Sequence, residues 1–290
     1  MDAKAILEKI KLLEIKTKNL TKQVFSGEYH SAFKGRGMTF SEVREYQTGD
    51  EIRTIDWNVT ARFNEPFVKV FEEERELNVL LLIDVSSSND YGIGEKSKLD
   101  LGLELAAVLS FSAIANNDKI GGVFCSDKIE KYIPPKKGRR HALILLRELS
   151  EQNKINKQTN LVEGLKFIRN TEKKRSIVFV ISDFLDDNEY VTALAHTRKR
   201  HDVVAIKISD LLEQKLPDLG IVPLKNTETG EMRWYNTSSS EFQEEFENHH
   251  RKQQEEFTMN LRKRGIDSIE ISTTEDYYRA LVELFHRRKS

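Results

Sequence analysis

The 290-residue sequence predicts an α/β fold, a doubly wound and mostly parallel sheet with an N-terminal helix and a loop-and-strand appendage. Short apolar runs follow Leu77, at Val79 to Ile83, Ile120 to Cys125, Ile177 to Ile181, Val203 to Ile208 and Ile266 to Ile271. The first, third and fourth are nearly continuous, as parallel strands buried on both faces require. Helical stretches separate them, and strand and helix in alternation build a doubly wound sheet.

In chain order, Ala3 to about Val24 places Ile6, Ile10, Leu13 and Leu20 at helical spacing, an amphipathic helix. From Phe25 to Thr60 the text turns polar and rich in glycine, giving loops, turns and a short helix over Ser41 to Tyr46. "PFVKVFEEERE" alternates Phe67 and Val70 or Phe71 with charges and predicts a half-buried strand leading into the main domain. The chain thus divides into an N-terminal segment, 1–77, and an α/β domain, 78–290. Helices are expected at Leu99 to Ala115, Arg140 to Leu149, Leu161 to Asn170, Glu189 to Arg200 and Ser240 to Lys263. "DKIEKYIPP" follows Cys125 with no room for a crossover helix, so it is an antiparallel edge strand. "GIVPLKNTETGEMRWYN" reads as a hairpin turning around Glu228 to Gly230.

Lys plus Arg number 46 and Asp plus Glu 47, so the molecule has no net field to attract nucleic acid or an anionic membrane. Only a local cluster such as Lys136, Lys137, Arg139 and Arg140 in "PPKKGRRH" could do so, and no nucleic-acid partner is expected. Charges interrupt the N-terminus every few residues, which predicts neither a signal peptide nor a membrane span. The single cysteine, Cys125, excludes an intramolecular disulfide and a cysteine-cluster zinc site, which fits a reducing, cytoplasmic setting.

The chemistry gathers at strand ends. Asp84 closes the first core run in "LNVLLLIDVSSSND", where open α/β sheets bind ligands, and Asp183 closes the third in "SIVFVISDF". In the usual doubly wound order these two strands are neighbours, so both carboxylates face one crevice. Ser86 and Ser88 follow Asp84 at even spacing and can turn to its side. Thr159 in "KQTNLVEGL" arrives at the same edge. Two acids and three hydroxyls make a hard, oxygen-only site suited to magnesium, with manganese or calcium as alternatives. Magnesium takes six oxygens at about 2.0–2.1 Å and keeps some waters. One corner is left open.

"DVSSS", "QTNLVEGL" and "ISDF" resemble, in that order, the three segments of the metal-ion-dependent adhesion site of von Willebrand factor A domains, a Rossmann-type fold. "SAFKGRGMTFSEVREYQTGDEIRTIDWNVTAR" and "VKVFEEERELNVLLLIDVSSS" resemble the signature of the domain-of-unknown-function 58 family, bacterial proteins in which it precedes an A-domain-like fold. The resemblance implies Asp84, Ser86, Ser88, Thr159 and Asp183 as metal ligands. It also implies a binding module, because the open corner of A domains is filled by a partner's Glu or Asp. Family members are associated with MoxR-type AAA+ ATPases, which implies such an ATPase or its client as partner. The sequence departs from the A-domain pattern at Lys157-Gln158 and at Phe184, where glycines are common.

Other readings are weaker. A strand-end turn and helix cap would explain Asp84, Ser86 and Ser88 taken alone. An aspartate-nucleophile phosphotransferase needs a second acid two residues after the nucleophile, where Ser86 stands. There is no Gly-x-Ser-x-Gly elbow for a hydrolase, and "KGRG" lacks the ending of a Walker loop. Asp50, Arg53, Asp56 and Arg62 interleave signs around Trp57, which predicts a structural ion-pair network. Adjacent His249 and His250 diverge on a helix and cannot share a metal face.

Overall fold

A computed structural model describes residues 12, 39–63, 65–72, 76–86, 97–152, 158–186, 189–225 and 232–289. The helix expected over Ala3 to Val24 lies, apart from Leu12, outside the described residues. So do Ser88 and the turn at Glu228 to Gly230. The described residues from Thr39 to Leu77 form one compact unit and those from Asn78 onward another.

In the first unit, β1 (Thr39–Glu45) pairs antiparallel with β2 (Phe67–Glu72), with a bulge between Phe40 and Glu42. The short helix expected over Ser41 to Tyr46 is therefore a strand. Six residues nucleate a helix poorly, whereas β2 supplies a cross-strand ladder. A helix not anticipated there, α1 (Trp57–Phe63), starts at Asp56, whose Oδ1 accepts the amides of Asn58 and Val59 at 3.0 and 3.3 Å. Among the described residues of this unit, ion pairs join Asp50 to Arg44 at 2.7 Å and Asp56 to Lys69 at 3.4 Å. The acids expected in a network are thus paired, with Arg44 and Lys69 as the cations.

The second unit runs β3 (Asn78–Asp84), α2 (Lys98–Ala115), β4 (Lys119–Cys125), β5 (Ile129–Lys136), α3 (Arg139–Ser150), α4 (Leu161–Thr171), β6 (Ile177–Ser182) and α5 (Tyr190–Arg198). It continues through β7 (Asp202–Ser209), α6 (Leu211–Gln214), β8 (Ile221–Lys225), β9 (Met232–Asn236), α7 (Ser240–Lys263), β10 (Asp267–Ser272) and α8 (Tyr277–Lys289). The six-stranded sheet has the order β10-β7-β6-β3-β4-β5. Its pairings are parallel except for β5, which is the expected antiparallel edge. The fold is the doubly wound α/β class read from the sequence. The chain steps outward from β3 to β4 and β5, then returns to β6 beside β3, and that reversal opens a crevice at their carboxyl ends.

Both faces of the sheet are covered. Leu80, Leu82, Val178 and Val180 face Leu165, Ile168 and Leu261 in one core. Helix α2 is buried on nearly every side from Leu101 to Ala113, which matches its apolar circumference. β8 and β9 form the expected hairpin as a separate two-stranded sheet. Among the described residues no helix is long and apolar enough to cross a membrane.

Gly121 on β4 holds the edge close. A Cβ there would lie 2.7 Å from the Ile133 carbonyl oxygen and 2.8 Å from Pro135 N, both backbone atoms of β5. Neither can swing aside as a side chain would. Gly121→Ala is expected to destabilise the domain by about 1–3 kcal/mol, read as a lower urea midpoint in circular dichroism. An unchanged midpoint would show that β5 yields freely.

Candidate metal centre

Parallel register sets Ile83 against Ile181, so β3 and β6 reach the same edge and deliver Asp84 and Asp183 there. Both are buried, at 2% and 1% exposure, with Ser86 at 4% and Ser182 at 1%. Asp84 Oδ1 accepts the Ser86 amide at 2.9 Å, and its Oδ2 accepts the Ser182 hydroxyl at 2.7 Å. The Ser86 hydroxyl also supports the charged form of Asp84. Ser182 Oγ in turn accepts the Phe184 amide at 3.0 Å. Ser86 is thus a buried member of the cluster, and its amide closes a turn on Asp84.

Thr159 is half-buried in a loop pinned to this edge. The next amide, of Asn160, donates to Ser126 O just past β4 at 2.9 Å, and the Leu161 amide donates to Asp186 Oδ2 just past β6 at 2.8 Å. Asn160 caps α4 through the Glu163 amide. Asp84, Ser86 and Asp183 therefore share one buried neighbourhood, and Thr159 is carried to the same edge by its loop.

Asp183 has a partner that the sequence reading overlooked. Lys98 Nζ donates to Asp183 Oδ2 at 2.8 Å and to Glu213 Oε1 at 2.6 Å, while Asp183 Oδ1 accepts the Leu185 amide at 3.2 Å. Lys98 is 2% exposed. A signal for it was present: Ser97 and Asp100 form a capping box, which starts α2 at Lys98. A lysine there opposes the helix dipole and needs acids to hold it. Burial works against its charge, but Asp183 and Glu213 outweigh burial and raise the ammonium's pKa above the ordinary lysine value. Further along the edge, Lys207 donates to Gln254 Oε1 at 2.7 Å and lies 3.9 Å from Glu270. Burial lowers its pKa.

Asp84 carries the opposite strain. Burial, and after it the charge of Asp183, push it up to about 6 despite hydrogen bonds from Ser86 and Ser182 that favour ionisation. A buried carboxylate disfavoured in its charged form gains from an added cation. The donor set suits a hard one, since carboxylates and hydroxyls are all oxygen. Among the described residues no three His, Cys, Asp or Glu side chains gather as a metal cluster, so a cation at Asp84 would rely on hydroxyls and water. The residues fit such an ion at Asp84, with one qualification of charge: Asp183 already holds an ammonium.

At Phe184, where the A-domain pattern favours glycine, the backbone takes the left-handed region at φ 56°. That conformation costs a non-glycine residue about 1–2 kcal/mol. The ring is buried at 6% against Phe257 and Tyr190, with centroids at 4.9 and 5.5 Å, and this burial offsets the cost.

The pattern of the family described as "Protein of unknown function DUF58" matches residues 42–256. The chain belongs to the DUF58 family. An uncharacterized protein of Mycobacterium tuberculosis is 31% identical over 226 residues, 77% of this DUF58 chain and 71% of the relative. Among solved structures, an aerotolerance-related membrane protein from Bacteroides fragilis overlaps 73% of this chain and 99% of its own at 13% identity and TM-score 0.49. A mussel byssus proximal thread matrix protein with a zinc-occupied MIDAS motif overlaps 47% of this chain and 39% of its own, at 20% identity and TM-score 0.36. The fold of the DUF58 chain rests on the strand order and register described above.

The raised pKa of Asp84 has a definite pH signature. Its folded pKa of about 6 exceeds the ordinary 3.8, so ionisation penalises the metal-free fold. The penalty is absent below the ordinary value, grows through the interval and is full above about 6. In metal-free buffer Asp84→Asn should therefore stabilise the protein near pH 8, with a gain that shrinks toward pH 4. Urea unfolding across that range is the measurement, and a gain independent of pH would contradict the assignment.

Proposed function

We propose that this DUF58 chain is a binding module, without turnover of its own, that uses a divalent cation to recognise an acidic side chain on a partner protein. Asp84, Ser86, Ser88, Thr159 and Asp183 would hold the ion, magnesium first, with manganese or calcium able to replace it. The observation that carries the reading is Asp84, a buried carboxylate at the sheet's switch point, disfavoured in its charge and surrounded by hydroxyl donors. The ion would supply a positive charge with a coordination position open to a further carboxylate. The chain's own residues orient that position. Ser182 and the Ser86 amide each hold one Asp84 oxygen and fix the carboxylate at the strand end. A partner lacking the acid would leave the open corner hydrated, which is a source of specificity.

The resemblance to A domains and the family's association with MoxR-type AAA+ ATPases support such an ATPase, or its client, as the partner. The lone cysteine supports a cytoplasmic setting. Against a phosphotransferase stands Ser86 in the place of the second acid, 2.9 Å from Asp84 through its amide.

Magnesium should raise the melting temperature of the wild type relative to EDTA, by about 2.7 kcal/mol of stabilisation at a hundredfold excess over the dissociation constant. Asp84→Asn should lose that response. Calorimetry with the ATPase should show binding in magnesium that weakens in EDTA and in Ser86→Ala, each checked for fold by circular dichroism. Equal affinity in all these conditions would remove the ion from the contact. Turnover of generic phosphate or ester substrates that vanishes in Asp84→Asn would favour an enzyme instead.

A further inference from the structure

The cation site has a charged neighbour with no assigned role. The Lys98 ammonium lies between Asp183 and Glu213, at 2.8 and 2.6 Å, on a side chain that is 2% exposed. Its hold is built from several elements. Glu213 Oε2 accepts the Asp210 amide at 3.3 Å, Asp210 Oδ1 accepts the Leu212 amide at 3.1 Å, and Asp210 Oδ2 accepts the Thr273 hydroxyl at 2.7 Å. α2, the turn after β6 and α6 thus meet at one ammonium, and the loop after β10 braces α6 through Asp210. The second Asp183 oxygen is engaged by the Leu185 amide. Each Asp183 oxygen therefore faces a donor already.

We infer that Lys98 is a specificity-determining residue of the cation site, a resident ammonium that competes with a divalent ion for Asp183. The ion would then be held chiefly by Asp84 and its hydroxyls, and Asp183 would join them only so far as Lys98 releases it. This inference rests on the proposed cation reading. Two consequences follow from charge. The ammonium repels an ion that approaches Asp183, and it neutralises an acid that would otherwise raise affinity, because ligand charge count sets affinity at such sites. The site is thereby tuned toward weak, exchangeable metal, and a partner's carboxylate contributes a larger share of the ion's hold.

The test is manganese binding to the full chain, read by the electron paramagnetic resonance of free Mn2+. Lys98→Met should bind manganese about tenfold more tightly than wild type. Asp183→Asn should weaken wild-type binding less than Asp84→Asn does but cancel the gain in the Lys98→Met background, a coupling that a double-mutant cycle isolates. Loss of the lysine leaves two acids uncompensated and can unfold the domain. Lys98→Met with Glu213→Gln replaces an opposite-charge pair by a neutral pair, and it should still bind more tightly than wild type. Wild type itself offers a second readout. Its Lys98 ammonium resonance, in nitrogen-15 spectra, should stay protected from exchange at saturating magnesium. If folded Lys98 variants bind no more tightly than wild type while Asp84→Asn abolishes binding, the Lys98 inference fails and the cation reading stands. Loss of the ammonium resonance on magnesium addition overturns it as well. If neither wild type nor the Lys98 variants bind, both readings fall.

Discussion

Two parallel strands that lie side by side and both run out in aspartate impose a charge problem on the rest of the structure. The register of β3 against β6 brings Asp84 and Asp183 to one edge, and the helices that cover both sheet faces remove them from water. Desolvation and mutual repulsion each disfavour two ionised carboxylates in such a place. The chain answers the two acids differently. Asp183 takes an ammonium, whereas Asp84 takes an amide and a hydroxyl. A full charge offsets desolvation far better than neutral donors do, and Asp84, held by neutral donors, is pushed up to about 6. In the proposed reading an external cation would be held first by Asp84 for that reason.

The positions of the answering groups explain features that otherwise look like liabilities. A lysine at the first turn of α2 opposes the helix dipole, and α2 is buried nearly all round, so no solvent is at hand to stabilise it. Two acids from distant parts of the sequence remove the difficulty. Phe184 adopts a conformation suited to glycine directly after Asp183, and its ring packs against α5 and α7 through Tyr190 and Phe257. The turn that aims Asp183 is thus fastened by aromatic burial. Lys207 on β7 repeats the theme, with its ammonium hydrogen-bonded to Gln254 and set over the Phe257 ring.

The smaller unit, from Thr39 to Leu77, follows different physics. Among the described residues its ion pairs are partly exposed and Ile52, Trp57 and Phe63 stand in solvent, while one antiparallel ladder, a capped helix, the buried Val68 and the Phe63–Phe67 ring contact give it order. In the larger unit the hairpin of β8 and β9 likewise exposes Ile221, Met232 and Trp234. Both contrast with the central sheet, whose strands β3 and β6 are almost wholly buried.

Local pattern determined the elements of the sheet domain and their class. Continuous apolar runs need two covered faces, and a run ending in aspartate marks a carboxyl edge, so the parallel strands, the antiparallel β5 and the placing of Asp84 and Asp183 were all legible from single stretches of chain. The strand at Thr39–Glu45 was not, because its conformation is decided by a partner some thirty residues away in sequence and its own residues are equivocal. The pairing of those charges was likewise beyond reach of the sequence. Lys98 and Glu213 stand 115 positions apart, and nothing local couples a helix's first turn to a short helix after another strand. Periodicity reports which face of an element is buried. Which charges meet there depends on how separate elements pack, and only the tertiary structure decides that.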